Sequence, residues 1–557
     1  MPLDFTATDV SAVTESPLSM LYKWEASRGD EPFLHQPRAG GVETYTWKQV
    51  ADQARRVAAR LNQMAYAPGS RIAIFAKNCA EWFIADLGIM MAGHVSVPIF
   101  GSAGESTIQY VLQHADVKLM LVGKLDNREA QLAAIPADCH TVYFPYPDLT
   151  GTQSWADFIS CDPINDSPLP NLDAMMTIIY TSGSTGQPKG VVHTYRTACW
   201  AAQNSLSSLT LNQHDRLLSY LPLAHITERV LVELAAFYGG PQIFFVESLD
   251  TFSRDVHHCQ PTLFISVPRL WTKFQMGVLA KMPQKKLNVL LSIPIIKAVV
   301  SRKIRQGLGL DQARFWASGS APLAPAIIRW FHRIGIDISE GWGMTENSAY
   351  GSASVPFRED KIGCIGKAYD GVDIRLSDEG EIQVKSPCNM VEYYLEPEKT
   401  ADTYTADGYL KTGDKGQMDD EGYIRITGRL KDIFKTEKGK YVTPSPIEAA
   451  LMVNSLIEQV CVTGTNLPQP VGLLVLSEPA GALDEATIRQ KLITTLDKVN
   501  SKLESHQKLD HLIVVNEPWT IENNLLTPTL KVKRHVLEEH YDAIIHAQYD
   551  QPVVFKA

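Results

Sequence analysis

The sequence predicts an α/β protein with parallel sheets, followed by a smaller α+β domain at the end of the chain. Short apolar or β-branched runs, such as 71–75 and 262–267, alternate with longer stretches of helical period, such as 47–64. Strands that alternate with helices are typical of parallel sheets. After about residue 405, closely spaced turns at 407–408, 412–414, 420–422, 427–428 and 438–439 predict a small antiparallel sheet. A helical pattern returns at 483–503, and residues 512–515 predict one more short strand.

Length, charge and cysteine content exclude several classes of protein. The 557 residues exceed the ~100–200 residues of one domain, so more than one domain is expected. The formal net charge of −10 provides no global basic field for nucleic acid, so we expect no nucleic-acid partner. The eight cysteines have no zinc-type spacing and predict reduced, mostly buried thiols.

The ends and apolar stretches of the chain predict a cytoplasmic protein. Residues 1–17 carry acids and lack the basic and apolar regions of a secretory signal. The most apolar span, 287–300, is interrupted by Pro294 and Lys297 and is too short to cross a bilayer. We therefore expect no membrane span.

A glycine-rich loop at 181–190 is the most informative motif. A buried-strand run at 175–180 ends in small and turn-forming residues that are followed by Lys189. Glycines let the backbone approach an anion, Ser and Thr hydroxyls add donors, and the lysine supplies a mobile charge. The loop therefore predicts a phosphate site; a surface hairpin without a ligand is the alternative.

The same loop differs from a Walker A loop. Pro188 and Gly190 stand where that motif has Gly and Ser or Thr, which disfavours an ATPase or kinase of the P-loop type. The β-branched Val191 and Val192 predict a second strand instead of a helix. We expect a flexible hairpin that closes over a triphosphate.

The motif TSGSTGQPKG resembles the signature of the adenylate-forming superfamily, which includes acyl-CoA synthetases, luciferases and peptide-synthetase adenylation domains. Three later stretches resemble its adenine, ribose and hinge, and final motifs, in the right order: SEGWGMTE at 339–346, YLKTGDKGQMDDEGYIRITGRLKDIFK at 409–435 and NNLLTPTLKVKRHVLEEHY at 523–541. The resemblance covers most of the chain from about residue 45.

This resemblance implies a two-domain architecture. Residues 1–429 would form a large AMP-binding domain with stacked, mostly parallel sheets, a distorted barrel subdomain and an acyl pocket. Residues 430–557 would form a small, mobile α+β domain that carries the catalytic lysine, with Lys431 at the pivot. The turn pattern places the boundary near residues 428–431.

The resemblance also implies a set of nucleotide-binding residues. They are Thr181, Ser182, Gly183, Ser184, Thr185, Gly186, Lys189, Gly319, Ser320, Ala321, Glu340, Gly341, Trp342, Gly343, Thr345, Asp414, Arg429, Lys431 and Lys435. Trp342 replaces the tyrosine most common in the superfamily and would lie against the adenine, which an aromatic face suits. Asp414 would accept hydrogen bonds from the ribose hydroxyls, and Arg429 would reach the ribose or a phosphate. By itself, Asp414 would instead be a turn cap.

Catalysis is implied to rest on Lys531, Thr345, Glu346 and Lys189. Glu346, with Thr181, would bind Mg²⁺, a hard cation that prefers oxygen ligands; taken alone, Glu346 would be a solvated surface acid. Lys531 would bridge the substrate carboxylate and the α-phosphate, two anions that repel each other. Lys533 is close enough in sequence to be the alternative, and the whole basic run could be a solvated strand.

Four further stretches resemble long-chain fatty acyl-CoA synthetases: YLPLAHITERV, SVPRLWTKF, ASGSAPLAPAI and KLESHQKLDHLIVV. An acyl chain requires an apolar tunnel. Its walls are implied to include His225, Val267, Trp271, Ser318 and Gly319, although these side chains could equally be core.

The implied function is an ATP-dependent ligase that joins a long-chain fatty acid to coenzyme A through an acyl-adenylate. The implied cofactors are ATP and Mg²⁺, and coenzyme A is the implied cosubstrate. Glu437 and Lys438 stand where many relatives have glycines that line the pantetheine tunnel. Transfer to an acyl carrier protein and a nucleotide-binding module without turnover remain alternatives, and relatives include homodimers.

A segment at 281–305 predicts contact with a membrane surface. It contains seven Lys or Arg and no Asp or Glu around an apolar run. Basic residues that flank an apolar stretch suit an anionic membrane, such as the inner face of the cell membrane. An amphipathic helix pair that packs on its own domain is the alternative.

Overall fold

The computed structural model describes residues 15–146, 149, 152–181, 187–521, 523–527 and 531–556. The strands in these residues are β1 Pro32–Arg38, β2 Gly41–Thr46, β3 Arg71–Phe75, β4 Val95–Ile99, β5 Val117–Val122, β6 Thr141–Tyr143, β7 Gln153–Ser154, β8 Met175–Thr181, β9 Lys189–Thr194, β10 Arg216–Ser219, β11 Gln242–Phe245, β12 Leu263–Ser266, β13 Phe315–Ser318, β14 Ile338–Trp342, β15 Ser352–Ala353, β16 Lys367–Ala368, β17 Asp373–Leu376, β18 Glu381–Lys385, β19 Glu392–Tyr393, β20 Leu410–Met418, β21 Ile424–Arg429, β22 Phe434–Lys435, β23 Tyr441–Val442, β24 Ile457–Thr463, β25 Val471–Leu476, β26 Leu512–Val515 and β27 Val553–Lys556.

Helices connect these strands throughout the described part of the chain. They are α1 Pro17–Arg28, α2 Trp47–Gln63, α3 Ala80–Met91, α4 Glu105–His114, α5 Arg128–Ala133, α6 Trp155–Phe158, α7 Tyr195–Leu209, α8 Ile226–Glu228, α9 Ala235–Gly239, α10 Phe252–Cys259, α11 Pro268–Lys281, α12 Gln284–Leu291, α13 Pro294–Gly307, α14 Pro325–His332, α15 Pro397–Thr403, α16 Pro444–Leu451, α17 Glu485–Asn500, α18 Arg534–His540 and α19 Asp542–Ile545. The predicted alternation of strands and helices is confirmed.

The largest sheet has eight strands in the order β19-β9-β8-β4-β3-β5-β6-β7. Its strands pair in parallel from β8 to β7, whereas β8–β9 and β9–β19 are antiparallel. Strand β4 is buried along its whole length, as expected for a parallel strand covered on both faces. Helix α3 is also buried at every residue, so it lies inside the protein between other elements.

Two more sheets complete the α/β part of the fold. One has the order β10-β11-β1-β2, and the other has the order β12-β13-β14-β15-β16. In the second sheet β12, β13 and β14 are parallel, with Ser318 of β13 opposite Glu340 of β14. The carboxyl ends of these neighbouring strands therefore open at one edge, which is where ligands bind in open α/β sheets.

The antiparallel sheet predicted after residue 405 is present, but two of its predicted turns are wrong. Strands β17, β18, β20 and β21 pair antiparallel, and β20 and β21 run through the predicted turns at 412–414 and 427–428. Gly413 adopts a φ of +72° inside β20, so the strand continues as an irregular one. A Cβ on Gly428 would lie 2.0 Å from the Thr443 side chain, so this glycine serves a close approach instead of a turn.

The last sheet has the order β24-β25-β26-β27 and is mixed, because β25, β26 and β27 are parallel. Apolar side chains on its two faces form two clusters: one includes residues of α16 and α17, and the other includes residues of α18 and α19. The predicted helix at 483–503 corresponds to α17, and the predicted strand at 512–515 corresponds to β26.

A buried ion pair joins α3 to the segment that follows α8. The Arg229 guanidinium donates to both carboxylate oxygens of Asp86 at 2.9 Å and to Ser96 Oγ, and the two charged side chains are fully buried. Arg229 begins a short π-helical segment, Arg229–Leu234. Burial raises the pKa of the neighbouring Glu233 well above its ordinary value. Among the described residues, no helix combines the length and the apolar character that crossing a bilayer requires.

Candidate active site

The predicted phosphate hairpin is formed by β8 and β9. The two strands are antiparallel, with Thr181 opposite Lys189, and Val191 and Val192 lie in β9 as predicted. The predicted nucleotide-binding residues Ser182, Gly183, Ser184, Thr185 and Gly186 lie outside the described residues. Loss of hydration lowers the pKa of the half-buried Lys189, and the nearby Glu346 carboxylate partly opposes this shift.

The second part of the site is the turn that follows β14. Thr345, Glu346 and Asn347 form a short 3₁₀ helix, and all three are buried. The next two residues, Ser348 and Ala349, both have a φ of +55°. Such left-handed backbone is unusual for residues other than glycine and occurs at functional sites. The turn therefore presents Thr345 and Glu346 from a tightly constrained backbone.

Two side chains that the sequence analysis did not select fix this turn. Tyr393 donates its hydroxyl hydrogen to Glu346 Oε1 at 2.8 Å, and His193 Nε2 lies 2.8 Å from the Thr345 carbonyl oxygen. Burial lowers the pKa of His193 to about 4, so the ring is neutral near pH 7. Because a carbonyl can only accept, Nε2 carries the proton. Neither residue belongs to a motif with a chemical signal, so sequence reasoning had no means to find them.

The predicted ribose-binding carboxylate is held by two donors. Trp342 Nε1 donates to Asp414 Oδ2 at 2.9 Å, and Arg429 Nε lies 2.8 Å from Asp414 Oδ1. Asp414 and Trp342 are buried, whereas Arg429 is exposed. Strand pairing places Asp414 directly opposite Arg429 in β20 and β21. The structure thus brings together the three residues that the sequence assigned to the adenosine moiety.

Lys531 faces the same group of residues. Loss of hydration lowers its pKa, the nearby Arg429 adds to this shift, and the carboxylates of Asp414 and Glu346 oppose it. The backbone N–H of Lys531 donates to Thr527 Oγ1 at 3.1 Å. Lys531 keeps accessible surface although the surrounding protein reduces its hydration, so a ligand can reach it.

The alternative lysine points elsewhere. Lys533 donates to the side-chain amide oxygen of Asn524, and only loss of hydration shifts its pKa. The next residue, Arg534, anchors this segment to the last sheet through the Val462 carbonyl oxygen and the Glu448 carboxylate. Of the two lysines that the sequence left open, Lys531 is therefore the one beside the nucleotide motifs.

The two other lysines predicted to bind nucleotide differ in position. Lys431 lies in the 3₁₀ segment after β21, and its charge contributes to the lowered pKa of Lys189. Lys435 lies on the β22–β23 hairpin, with its ammonium 5.3 Å from the centroid of the Tyr441 ring. Within the described residues, no contact of Lys435 joins it to the other nucleotide motifs. The structure thus does not bring Lys435 into the site.

The loop after β13 lies beside the end of β14. Glu340 Oε1 accepts a hydrogen bond from Leu323 N at 3.2 Å, and burial raises the pKa of Glu340 to about 7. Ser320 has a φ of +66°, and Ala321 is exposed. Glu340 therefore shapes the loop that carries Gly319, Ser320 and Ala321.

The residues predicted to line an acyl pocket surround this loop. Gly319 N donates to Ser266 O at 3.1 Å, and Val267 precedes α11. Trp271 is fully buried and donates to the Ala317 carbonyl oxygen at 3.2 Å. Its ring packs edge-on against the rings of Phe264 and Phe331, so Trp271 also belongs to the apolar core.

His225 lies near enough to Lys531 to be affected by its charge. Its Nδ1 accepts a hydrogen bond from Thr227 N at 3.2 Å and caps α8. Burial lowers the pKa of His225 to about 4, and the Lys531 charge contributes to this shift. Ser318 is buried beside Gly319, and its hydroxyl has no partner among the described residues. The predicted pocket residues thus adjoin the nucleotide motifs at one edge of the sheet.

A substitution at Gly343 tests whether the tight turn is a packing requirement. A Cβ on Gly343 would lie 2.5 Å from the carbonyl carbon of Ala349, whereas a Cβ on Gly341 would lie 3.9 Å from its nearest neighbour, Ser352 O. We expect Gly343→Ala to lower the free energy of unfolding by about 1–3 kcal/mol. Gly341→Ala should change it by less than about 0.5 kcal/mol. Urea unfolding followed by tryptophan fluorescence measures both, and equal effects would contradict the assignment.

Comparisons with known proteins find similar chains and a similar fold. Fatty acyl-CoA synthetase A of Dictyostelium discoideum is 29% identical over 592 residues, which cover 94% of this chain and 88% of that protein. The long-chain-fatty-acid–CoA ligase FadD15 of Mycobacterium bovis is 28% identical, and the match covers 95% of this chain and 96% of that protein. The adenylation domain of a carboxylate reductase from Mycobacterium chelonae superposes with a TM-score of 0.80 at 21% identity and covers 98% of this chain and 92% of that chain, which shows a shared fold.

Two family models match in chain order. The model described as AMP-binding enzyme C-terminal domain matches residues 431–552. The model described as AMP-binding enzyme matches residues 21–394, which is more than half of the chain. The resemblance to adenylate-forming enzymes that the motifs indicated is thereby confirmed, and the chain belongs to the AMP-binding enzyme family.

Proposed function

We propose that this protein is an ATP-dependent long-chain fatty acid:CoA ligase that acts through an acyl-adenylate intermediate. The observation that carries the proposal is the convergence of Lys189, Glu346, Asp414, Arg429 and Lys531 on one cleft. A nucleotide-binding module without turnover would also need cations beside the phosphates, so an assay of turnover separates the two functions. The substrate class comes from the relatives, whose names specify fatty acyl-CoA synthetases and long-chain ligases across nearly the whole chain.

The proposed chemistry proceeds in two balanced steps. First, a carboxylate oxygen of the fatty acid forms a bond to the α-phosphorus of ATP, and the bond to the leaving pyrophosphate breaks. Second, the thiol sulfur of coenzyme A bonds to the acyl carbon, the bond to AMP breaks, and the thiol proton passes to solvent. Neither step needs a protein nucleophile, so positioning and charge stabilisation supply the catalysis. Lys531 would reduce the repulsion between the carboxylate and the α-phosphate.

The residues present fit a Mg²⁺ ion that is bound mainly through the substrate. Mg²⁺ usually keeps several waters and binds one or two protein carboxylates together with phosphate oxygens. Within the described residues no group of three or more His, Cys, Asp or Glu side chains could form an all-protein site. Glu346 is a single buried carboxylate near Lys189, and Thr181 ends the hairpin strand. These two residues would bind the ion beside the phosphates, where it would neutralise developing charge.

We further propose that residues 1–429 and 430–557 are two domains that rotate about Lys431. Lys531 reaches the cleft from the C-terminal part, so rotation would withdraw it after the first step and open a path for the thiol. Arg269 of α11 forms an ion pair with Glu458 of β24, and this contact would break on rotation. Coenzyme A is the proposed acceptor of the acyl group.

A substrate panel tests the proposed function. We expect purified protein to convert ATP into AMP in the presence of Mg²⁺ and a C6 to C20 fatty acid only when coenzyme A is also present. The rate of AMP release should be highest with the long-chain acids. Release of AMP and pyrophosphate with each acid, with and without coenzyme A, is the measurement. Pyrophosphate formation that does not respond to coenzyme A would instead indicate another acceptor, such as an acyl carrier protein. No turnover with any acid would contradict the ligase.

The substitution Lys531→Ala tests the role of this lysine in the first step. We expect acyl-adenylate formation to fall by at least about a hundredfold, because a charge that stabilises the transition state is lost. Thioester formation from supplied acyl-AMP should remain. Lys533→Ala is the matched control and should retain adenylate formation. Loss of both half-reactions in the Lys531 variant would show that the lysine is not specific to the first step.

We also propose that α12 and α13 contact an anionic membrane surface. The segment forms a helix pair, as in the alternative given above, and Leu287, Leu291 and Ile304 bury one side of it. Its other apolar side chains are exposed: Val289 by 65% and Ile295 by 81%, together with Ile293 and Val299. Lys285, Lys286, Lys297, Arg302 and Lys303 are exposed around them. Exposed apolar groups ringed by cations complement a surface of anionic lipids, in which fatty acids partition.

Sedimentation with liposomes tests this contact. We expect the protein to sediment with vesicles that contain phosphatidylserine, and the triple reversal Lys285→Glu, Lys286→Glu and Arg302→Glu to weaken binding by at least about tenfold. The matched control reverses Lys491, Lys498 and Lys502, three exposed lysines in and just after α17. Equal binding of the two triple variants to the vesicles would contradict the proposed membrane contact.

A further inference from the structure

Tyr393 contacts both the predicted phosphate-binding lysine and the predicted metal-binding carboxylate. Its hydroxyl donates to Glu346 Oε1 at 2.8 Å, and Lys189 Nζ lies 4.3 Å from the centroid of its ring. Tyr393 is only 4% exposed. One buried side chain therefore contacts two groups of opposite charge, Lys189 and Glu346, which come from motifs far apart in the sequence.

The backbone around Tyr393 is fixed on both sides. Strand β19 pairs with β9, with Tyr393 opposite Val191, and Tyr393 N donates to Thr400 Oγ1 at 2.9 Å. Three residues earlier, Met390 N donates to the Glu346 carbonyl oxygen at 2.7 Å. The phenol ring also packs in a small apolar cluster with Val191 and Met390. The position of the hydroxyl relative to Glu346 is thus set by the same short strand that covers the hairpin.

The two contacts act differently when a nucleotide binds. A lysine ammonium over an aromatic face is stabilised by the ring but keeps its charge available, so Lys189 can leave the ring for phosphate oxygens. The hydrogen bond to the carboxylate directs one oxygen of Glu346 toward the phenol and leaves the other for a cation. An ionised carboxylate can only accept, so the Tyr393 hydroxyl is the donor in this hydrogen bond.

We propose that Tyr393 is a positioning residue that orients Glu346 for the divalent cation through its hydroxyl and places Lys189 beside the phosphate site through its ring. This inference rests on the proposed function, because it needs a nucleotide–metal complex at these residues.

Two variants of Tyr393 separate the two contacts. Tyr393→Phe removes the hydroxyl and keeps the ring, so the Mg²⁺ concentration for half-maximal adenylate formation should rise about tenfold, as expected for one hydrogen bond to a charged group. The KM for ATP at saturating Mg²⁺ should change less than about twofold. Tyr393→Leu also removes the ring and should raise that KM about fivefold or more.

Tyr404→Phe is the matched control. Tyr404 donates to the Met390 carbonyl oxygen at 2.7 Å and packs against the same cluster, so this variant removes a hydroxyl that does not touch Glu346. We expect its Mg²⁺ dependence to match that of the wild type. If Tyr393→Phe and Tyr404→Phe lower kcat equally at every Mg²⁺ concentration, Tyr393 is structural and the proposal is overturned.

Thermal unfolding gives a second readout that does not depend on turnover. ATP·Mg²⁺ should raise the unfolding midpoint of the wild type more than ATP alone, because ligands stabilise the state that binds them. Tyr393→Phe should keep the shift caused by ATP alone and lose most of the additional shift caused by Mg²⁺. An unchanged additional shift would contradict the proposal.

The double variant Tyr393→Phe, Glu346→Gln distinguishes this proposal from the proposed function. If the hydroxyl acts through Glu346, adding Tyr393→Phe to Glu346→Gln should change the Mg²⁺ dependence by less than about twofold, because contacting residues are not additive. A full tenfold effect in both backgrounds would overturn the positioning role. If Glu346→Gln alone leaves the Mg²⁺ dependence unchanged, the proposed metal role of Glu346 fails, and the proposal for Tyr393 fails with it. The ligase itself is judged separately by the substrate panel.

Discussion

A buried carboxylate needs fixed donors, and the arrangement of this site depends on that constraint. Asp414 is held by Trp342 and Arg429, and Glu346 is held by Tyr393. Without such partners a buried charge would take up a proton or draw water into the fold. The donors come from different sheets, so the same hydrogen bonds that satisfy the carboxylates also align separate elements around the cleft.

The balance of charge in the cleft follows from this arrangement. Lys189 and Lys531 both lose hydration there, and their pKa values are lowered although carboxylates lie nearby. A polyanionic ligand would restore favourable interactions to both ammonium groups, as the proposed phosphate site requires. The cations come from the hairpin and from the C-terminal part of the chain, so movement between these parts would change the charge around a bound nucleotide. Under the proposed rotation, the charge around the nucleotide and the conformation of the protein would change together.

Local patterns predicted much of the secondary structure. The β-branched pair after the glycine-rich loop predicted a strand instead of a helix, and β9 begins at Lys189. The turn signals in the later sheet were less reliable, because glycine also occurs inside strands where the backbone is irregular or where another residue comes close. Gly413 allows an irregular strand, and Gly428 allows a close approach to Thr443, yet in sequence both resemble turn residues.

The sequence by itself determined the fold class, the order of the motifs and the chemical types of the site residues, because these depend on local propensity and on residue identity. Only the tertiary structure decided which of Lys531 and Lys533 faces the cleft, since the two are chemically identical and two positions apart. It also decided that Tyr393 and His193 fix the Thr345–Asn347 turn. Those contacts join residues far apart in the chain, and their energy exists only once strand pairing and core packing have brought them together.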